Sequence, residues 1–200
     1  FAESFDYKDG VLVIGDPTDF YDSTWDKTNY MTYSGSVFVF NRTASGTTYT
    51  WTFVQKLAGQ YFNTFRNAGD EFGYSIARID NTLIVSMPYA SYDSYGQNYL
   101  SCSGLVKLYT INTDGTIENI QTIQEPTRVV GGYYGKGVFT NSSKLYVYSD
   151  TLNLYEYNIT SDGCEYSQTI PLTGYTSSNT IQTNGNIGDS ISINDDYIVY

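Results

Sequence analysis

The stretch Phe72-Gly73-Tyr74-Ser75-Ile76, followed by Leu83-Ile84-Val85-Ser86-Met87-Pro88, decides the fold because the chain repeats it. The opening phrase returns as Tyr134-Gly135-Lys136-Gly137-Val138, as Ile187-Gly188-Asp189-Ser190-Ile191 and as Phe1-Ala2-Glu3-Ser4-Phe5. The apolar run behind it returns as Leu12-Val13-Ile14, Leu145-Tyr146-Val147 and Tyr197-Ile198-Val199. Recurrence of strand-like units at a period of tens of residues indicates an array of similar modules.

Two further segments complete each unit. Gly35-Ser36-Val37-Phe38-Val39-Phe40, Gly104-Leu105-Val106-Lys107-Leu108-Tyr109 and Leu152-Asn153-Leu154-Tyr155-Glu156-Tyr157 form the third. Trp51 to Gln55, Ile117 to Gln121 and Cys164 to Gln168 form the fourth. Apolar residues alternate with others at period two, rich in β-branched and aromatic types, and no stretch carries a helical period. Asp9-Gly10, Asp80-Asn81, Asp114-Gly115 and Asp162-Gly163 separate the segments, as residues that accept tight-turn backbone. The expectation is an all-β chain of β-propeller blades, each of four antiparallel strands. Three blades span about 1–58, 70–125 and 132–172, and 185–200 holds the first half of a fourth.

The order Phe-Gly-x-Ser-Ile, turn, Leu-Ile-Val-x-x-Pro, loop, Gly-x-Val-x-x-Tyr resembles the FG-GAP repeat of integrin α-chain-like propellers. Phe72 to Tyr109 is the best copy, with Met87-Pro88 in place of the family's Ala-Pro, and Asp16-Pro17 serves in the first copy; the third has Ser149-Asp150 instead. The likeness extends over nearly the whole chain and implies a propeller that displays loops for adhesion. The family often carries a calcium loop between the first two strands of a blade. The turns here, such as Asp6-Tyr7-Lys8-Asp9-Gly10 and Asn194-Asp195-Asp196, lack the spaced oxygens that calcium needs, so no metal and no other cofactor is expected.

Both ends of the chain fall inside repeating units. The expectation is a longer polypeptide that supplies the remaining blades, or copies that complete one another's sheets, since bare sheet edges are normally covered. The net charge of −11 argues against nucleic acid and anionic membrane as partners. No apolar run is long enough to span a bilayer as a helix. The 22 tyrosines, with many Ser, Thr and Asn, suit an extracellular or cell-surface β protein. Asn41, Asn141 and Asn158 open Asn-x-Ser/Thr acceptors for N-glycosylation. Asn41 and Asn158 are expected to start third-to-fourth-strand turns and Asn141 to lie in a first-to-second-strand turn, all at one face of the array.

The opposite face carries the long second-to-third-strand connections. Asp19, Tyr21, Asp22 and Trp25 in one, and Tyr89, Tyr92, Tyr95 and Tyr99 in another, are the candidate partner-binding residues. Tyr and Trp offer stacking area, and Asp and Asn accept hydrogen bonds, the chemistry of adaptable recognition loops. The competing reading is that these loops only cap the sheets. Asp16, Asp19, Asp22 and Asp26 match no defined cation spacing. Cys102 and Cys164 are expected at opposite ends of their strands, too far apart for a disulfide.

The chain contains no His, which removes histidine-based nucleophilic triads and metal sites. Carboxylate pairs can still serve glycoside hydrolysis; Asp70-Glu71, just before a first strand, is one such pair and reads more simply as a solvated turn. The expected function is therefore a non-enzymatic structural or adhesion-type interaction module of the kind found within a surface assembly or filament, with protein or glycan partners. The alternatives are a lectin-like propeller and part of a propeller glycoside hydrolase.

Overall fold

A computed structural model describes residues 2–22, 24, 30–60 and 66–172, with two short strand segments at 192–193 and 198–199. The fourth phrase, Ile187 to Ile191, and Trp25 lie outside the described residues. The fold is all-β, with no helix among the described residues. Three four-stranded antiparallel sheets follow one another, each a simple meander. The first contains β1 (Ser4–Lys8), β2 (Val11–Asp16), β3 (Ser36–Ser45) and β4 (Thr48–Ala58). The second contains β5 (Ile76–Ile79), β6 (Thr82–Met87), β7 (Leu105–Ile111) and β8 (Ile117–Ile123). The third contains β9 (Gly137–Thr140), β10 (Lys144–Ser149), β11 (Asn153–Thr160) and β12 (Gly163–Pro171). A hairpin of β13 (Ser192–Ile193) and β14 (Ile198–Val199) follows.

The register repeats as closely as the sequence does. Ile14 pairs with Phe38, Val85 with Lys107, and Val147 with Tyr155. Each sheet also breaks register at one place between its last two strands: between Val39 and Phe40, Leu108 and Tyr109, and Glu156 and Tyr157. The residue in excess on the outer strand is Val54, Ile120 or Ser167. In every sheet the next residue is a glutamine: Gln55, Gln121 and Gln168. A bulge re-aims the side chains beside it, and here it sets the glutamine.

Core packing lies between sheets. Val13, Val37 and Val39 of the first meet Leu83, Val85, Met87, Tyr109 and Ile117 of the second. Ile84, Val106 and Leu108 on the other side of the second meet Val138, Leu145, Val147, Tyr155 and Tyr157 of the third. The first strands of successive sheets lie against one another, β1 on β5 and β5 on β9. Arg78 Nη1 donates to the Lys8 carbonyl at 2.9 Å, and Thr140 Oγ1 donates to the Arg78 carbonyl at 3.1 Å, so both contacts carry a hydrogen bond.

The repeated aromatic-Gly phrase sits just before the first strand rather than within it, and it plugs the junction between two sheets. Phe72 and Tyr134 are both 0% exposed. The Phe72 N–H donates to the Ser34 carbonyl at 3.1 Å, and the Tyr134 N–H to the Ser103 carbonyl at 3.2 Å. The approach is so close that a Cβ on Gly35 would fall 2.1 Å from the Phe72 carbonyl oxygen, and one on Gly104 would fall 2.1 Å from that of Tyr134. Gly73 and Gly135 have φ of +92° and +93°, and Ala2 adopts +65° at the matching place. The glycines therefore serve close approach and left-handed backbone at the seam, not the interior of a strand.

Asn41 and Asn158 do not start turns. They lie inside β3 and β11, paired with Thr52 and Glu165, because those strands run several residues further than the apolar pattern does. The exposed end of β3, Arg42 to Ser45, is held by main-chain pairing, which requires no apolar core contacts. Asn141 does lie in a turn, between β9 and β10, where its side-chain oxygen accepts from the Ser143 and Lys144 N–H groups.

Candidate functional site

The two long second-to-third-strand connections, β2 to β3 and β6 to β7, are each organised by aspartates that turn the loop back on itself. Asp22 Oδ1 accepts from the Thr24 N–H at 2.9 Å and its hydroxyl at 2.6 Å, and Asp16 does the same for Thr18. Asp19 reaches its own sheet: Oδ2 lies 2.5 Å from Lys56 Nζ and accepts from Ser36 Oγ at 2.6 Å. Burial alone would raise the Asp19 carboxyl, but the Lys56 and Ser36 hydrogen bonds and the ammonium charge outweigh it and hold the group below its ordinary value. The Lys56 ammonium lies 5.9 Å from the centre of the Tyr21 ring. Asp19, Tyr21 and Asp22 thus have structural duties inside their own loop and sheet. Asp16, Asp19 and Asp22 are each engaged by different partners, and among the described residues no three Asp, Glu or Cys side chains gather as a metal site would require.

The second connection is built around Asp93. Its carboxylate accepts from the Tyr95 N–H at 3.0 Å, the Gln97 N–H at 2.9 Å and Asn98 Nδ2 at 2.5 Å. The Ser94 N–H is held by Gln124 Oε1 at 3.1 Å. Burial would raise Asp93, and these donors, the Gln97 N–H foremost, bring it below the usual carboxylate range instead. The loop is consequently well braced, while Tyr95 and Tyr99 present rings that are 62% and 64% exposed. Tyr92 turns inward, packs on the first core and meets Tyr99 edge-on at 5.4 Å. Tyr89 stands between Tyr74 and Tyr133, with ring centres at 6.1 and 5.1 Å, and burial raises its phenol. Of the described loop candidates, only Tyr95 and Tyr99 are available to a partner over most of their surface.

Beside Tyr95 a cleft of about 690 Å³ opens between the outer strands of the first and second sheets. Gln55, Gln60, Ser94, Asn119 and Thr122 line it, and Lys107 rises from its floor. Lys107 is 7% exposed, and burial pushes its ammonium down to about 8. Phe38 and Tyr155 occupy the corresponding register positions in the other two sheets. The period-two pattern counts Lys107 only as a strand residue; its departure from two aromatic counterparts is the signal that marks it.

The seam across this cleft is closed by Gln55. Its Nε2 donates to the Ile117 carbonyl at 3.3 Å and its Oε1 accepts from the Ile117 N–H at 3.0 Å. Gln121 repeats the arrangement on the third sheet, donating to the Cys164 carbonyl at 3.0 Å and accepting from its N–H at 2.7 Å. A second repeated tie joins arginine to serine: Arg66 Nη1 donates to Ser34 Oγ at 2.9 Å, and Arg128 Nη2 to Ser103 Oγ at 2.8 Å.

The remaining sequence candidates separate. Asp70 is 2% exposed and accepts from the Asn67 N–H at 3.2 Å, so it is not the solvated turn residue expected. Burial, with the Glu3 carboxylate as a lesser cause, pushes Glu71 up to about 7. Asn41 Nδ2, the atom a glycan would occupy, donates to the Asp114 carbonyl at 3.0 Å and presses on Gly115 of the neighbouring sheet. Asn158 is exposed and Asn141 half-buried. Cys102 is half-buried in its loop, and Cys164 is buried at the start of β12; both are free thiols.

No known protein-family model matches the chain, and no curated protein does. Among the described residues no helix is long and apolar enough to cross a membrane.

Proposed function

We propose that this chain forms blades of a β-propeller of FG-GAP-like repeats and acts as a non-enzymatic interaction module outside the cell. The observation that carries the reading is the identity of the two seams. Phe72 and Tyr134 plug the same gap, Gln55 and Gln121 clip the same residue of the next sheet, and β1, β5 and β9 stand side by side. A single operation that carries each sheet onto the next is what a propeller requires. Gln168 occupies the same register on the third sheet and is exposed, which supports a further sheet beyond it. Braced loops that expose Tyr95 and Tyr99 support a role in recognition.

Electron microscopy of the purified protein tests the architecture, with sheets fanning about one axis as the expected image and two stacked sheets as the refuting one. Secretion from eukaryotic cells followed by glycosidase treatment tests the location. Loss of glycan mass from Asn141 and Asn158, with Asn41 unmodified, agrees with the reading; a secreted chain carrying sugar at neither Asn141 nor Asn158 opposes it. The cleft beside Tyr95 favours glycan binding as a second reading.

A further inference from the structure

We propose that the cleft between the first and second sheets binds the carboxylate of an acidic sugar, with Lys107 as the counter-ion and Tyr95 as the stacking surface at its rim. The inference rests on the glycan-binding reading and does not depend on whether the sheets close into a ring.

Lys107 is the anomaly that demands a partner. An ammonium that is 7% exposed would ordinarily sit against a carboxylate, because isolated buried charge is costly. Among the described residues its one hydrogen bond runs to Thr122 Oγ1 at 3.5 Å, the limit of such an interaction, and burial lowers its pKa with no carboxylate among those residues acting against it. Apolar or aromatic side chains would fill this position well, as Phe38 and Tyr155 do in the other sheets. The second sheet instead directs a cation into a cleft whose volume of about 690 Å³ falls within the usual range for small-ligand sites.

The chemistry around Lys107 narrows the ligand. Two lysines line the cleft, and the Lys56 ammonium is already paired with Asp19, so Lys107 is the cation that faces a ligand; one such ammonium, with no guanidinium among the lining residues, suits a singly charged group better than a phosphate, for which bidentate arginine is favoured. The net charge of −11 opposes a polyanion at long range. Gln60 and Asn119 offer amides, and Thr122 a hydroxyl, to the ring hydroxyls of a sugar. Tyr95 supplies a flat apolar face, and its backbone is held by Asp93, so little order remains to be imposed on binding. A uronic acid fulfils all of these requirements in one residue: carboxylate, hydroxyls and an apolar ring face.

The test is calorimetric titration of the whole chain with a glucuronic-acid-terminated trisaccharide and, in parallel, its glucose-terminated counterpart. The expected result is binding of the acidic sugar at least tenfold tighter than of the neutral one. Lys107→Met, which keeps the length of the side chain, should abolish that preference, and Tyr95→Ala should weaken binding severalfold. Far-UV circular dichroism and the urea midpoint check that both variants fold. Should Lys107→Met fail to fold, Tyr95→Ala at the exposed rim still decides. Equal affinity for both sugars, or binding unchanged by Lys107→Met and Tyr95→Ala, overturns this site while leaving glycan binding elsewhere on the chain standing. Absence of binding by either sugar removes the glycan reading together with the site. Binding of a glutamate-terminated peptide in preference to the sugar overturns the assignment of ligand class.

Discussion

Replacing Gln121 by methionine removes one sheet-to-sheet clip while preserving side-chain length. The Gln121 amide makes two hydrogen bonds to Cys164, at 2.7 and 3.0 Å, and Cys164 is 6% exposed. Two such bonds contribute roughly 1 kcal/mol each, and the buried N–H left without its acceptor adds about another 1 kcal/mol, giving about 3 kcal/mol. With a urea m-value of about 2 kcal/mol/M, the unfolding midpoint should fall by about 1.5 M. Gln55→Met, whose donor bond is longer at 3.3 Å, should cost about 2 kcal/mol. Gln168→Met is the internal control. It holds the same register but is exposed and donates only to Glu156 at 3.3 Å, so its loss should stay within about 0.5 kcal/mol. The measurement is urea denaturation of the three variants followed by circular dichroism. If Gln168→Met proves as damaging as Gln121→Met, or if Gln121→Met leaves the midpoint unmoved, the seam is not held by these amides and the reasoning fails.

Three further outcomes follow from the same geometry. Gly104→Ala should destabilise by about 4 kcal/mol or prevent folding, because φ is +82° and the new Cβ meets the Tyr134 carbonyl; Gly46→Ala, with φ +62° and nothing within 4 Å, should cost only about 1 kcal/mol. Thermal melts of the pair separate steric clash from backbone strain. Glu71 holds its proton more tightly folded than unfolded, so its contribution favours the fold at low pH and is lost as pH rises from about 4.5 towards 7. Glu71→Gln should therefore gain on the parent between pH 5 and pH 8, by about 1 kcal/mol after allowing for the solvent contact of a half-buried group; equal melting shifts at both pH values would exclude this. Burial pushes the Cys164 thiol up to about 12, so a thiol-specific reagent at pH 8 should modify Cys102 first and reach Cys164 only on unfolding. Rapid modification of both in the folded protein would contradict the buried position of Cys164.

Strand order and meander topology were readable because they depend on period-two alternation and turn residues, which are local. Val37 and Val39 alternate with Phe38 and Phe40, and the alternation alone divides them between the two faces of β3. Strand ends were less readable. Beyond Asn41 the side chains are exposed and mostly polar while main-chain pairing continues to Ser45, so composition stops reporting on a ladder that is still present. The repeated glycines are visible in the sequence but the reason for Gly35 is not, since the Phe72 carbonyl that crowds it arrives from the next sheet. Among the acidic loop candidates, Asp19 is occupied by Lys56 and Ser36, groups only the fold brings near, whereas Asp22 is occupied by Thr24, two residues along the chain. Lys107 was visible only against Phe38 and Tyr155, once the register had aligned the three sheets.

The glutamine clips have an evolutionary consequence. Each clip joins one side chain to a single residue of the neighbouring sheet, Gln55 to Ile117 and Gln121 to Cys164. A unit duplicated or deleted in the gene would carry its own clip and its own docking residue with it. Copy number can then change by whole units without redesigning a surviving clip, while connections lengthen or shorten independently.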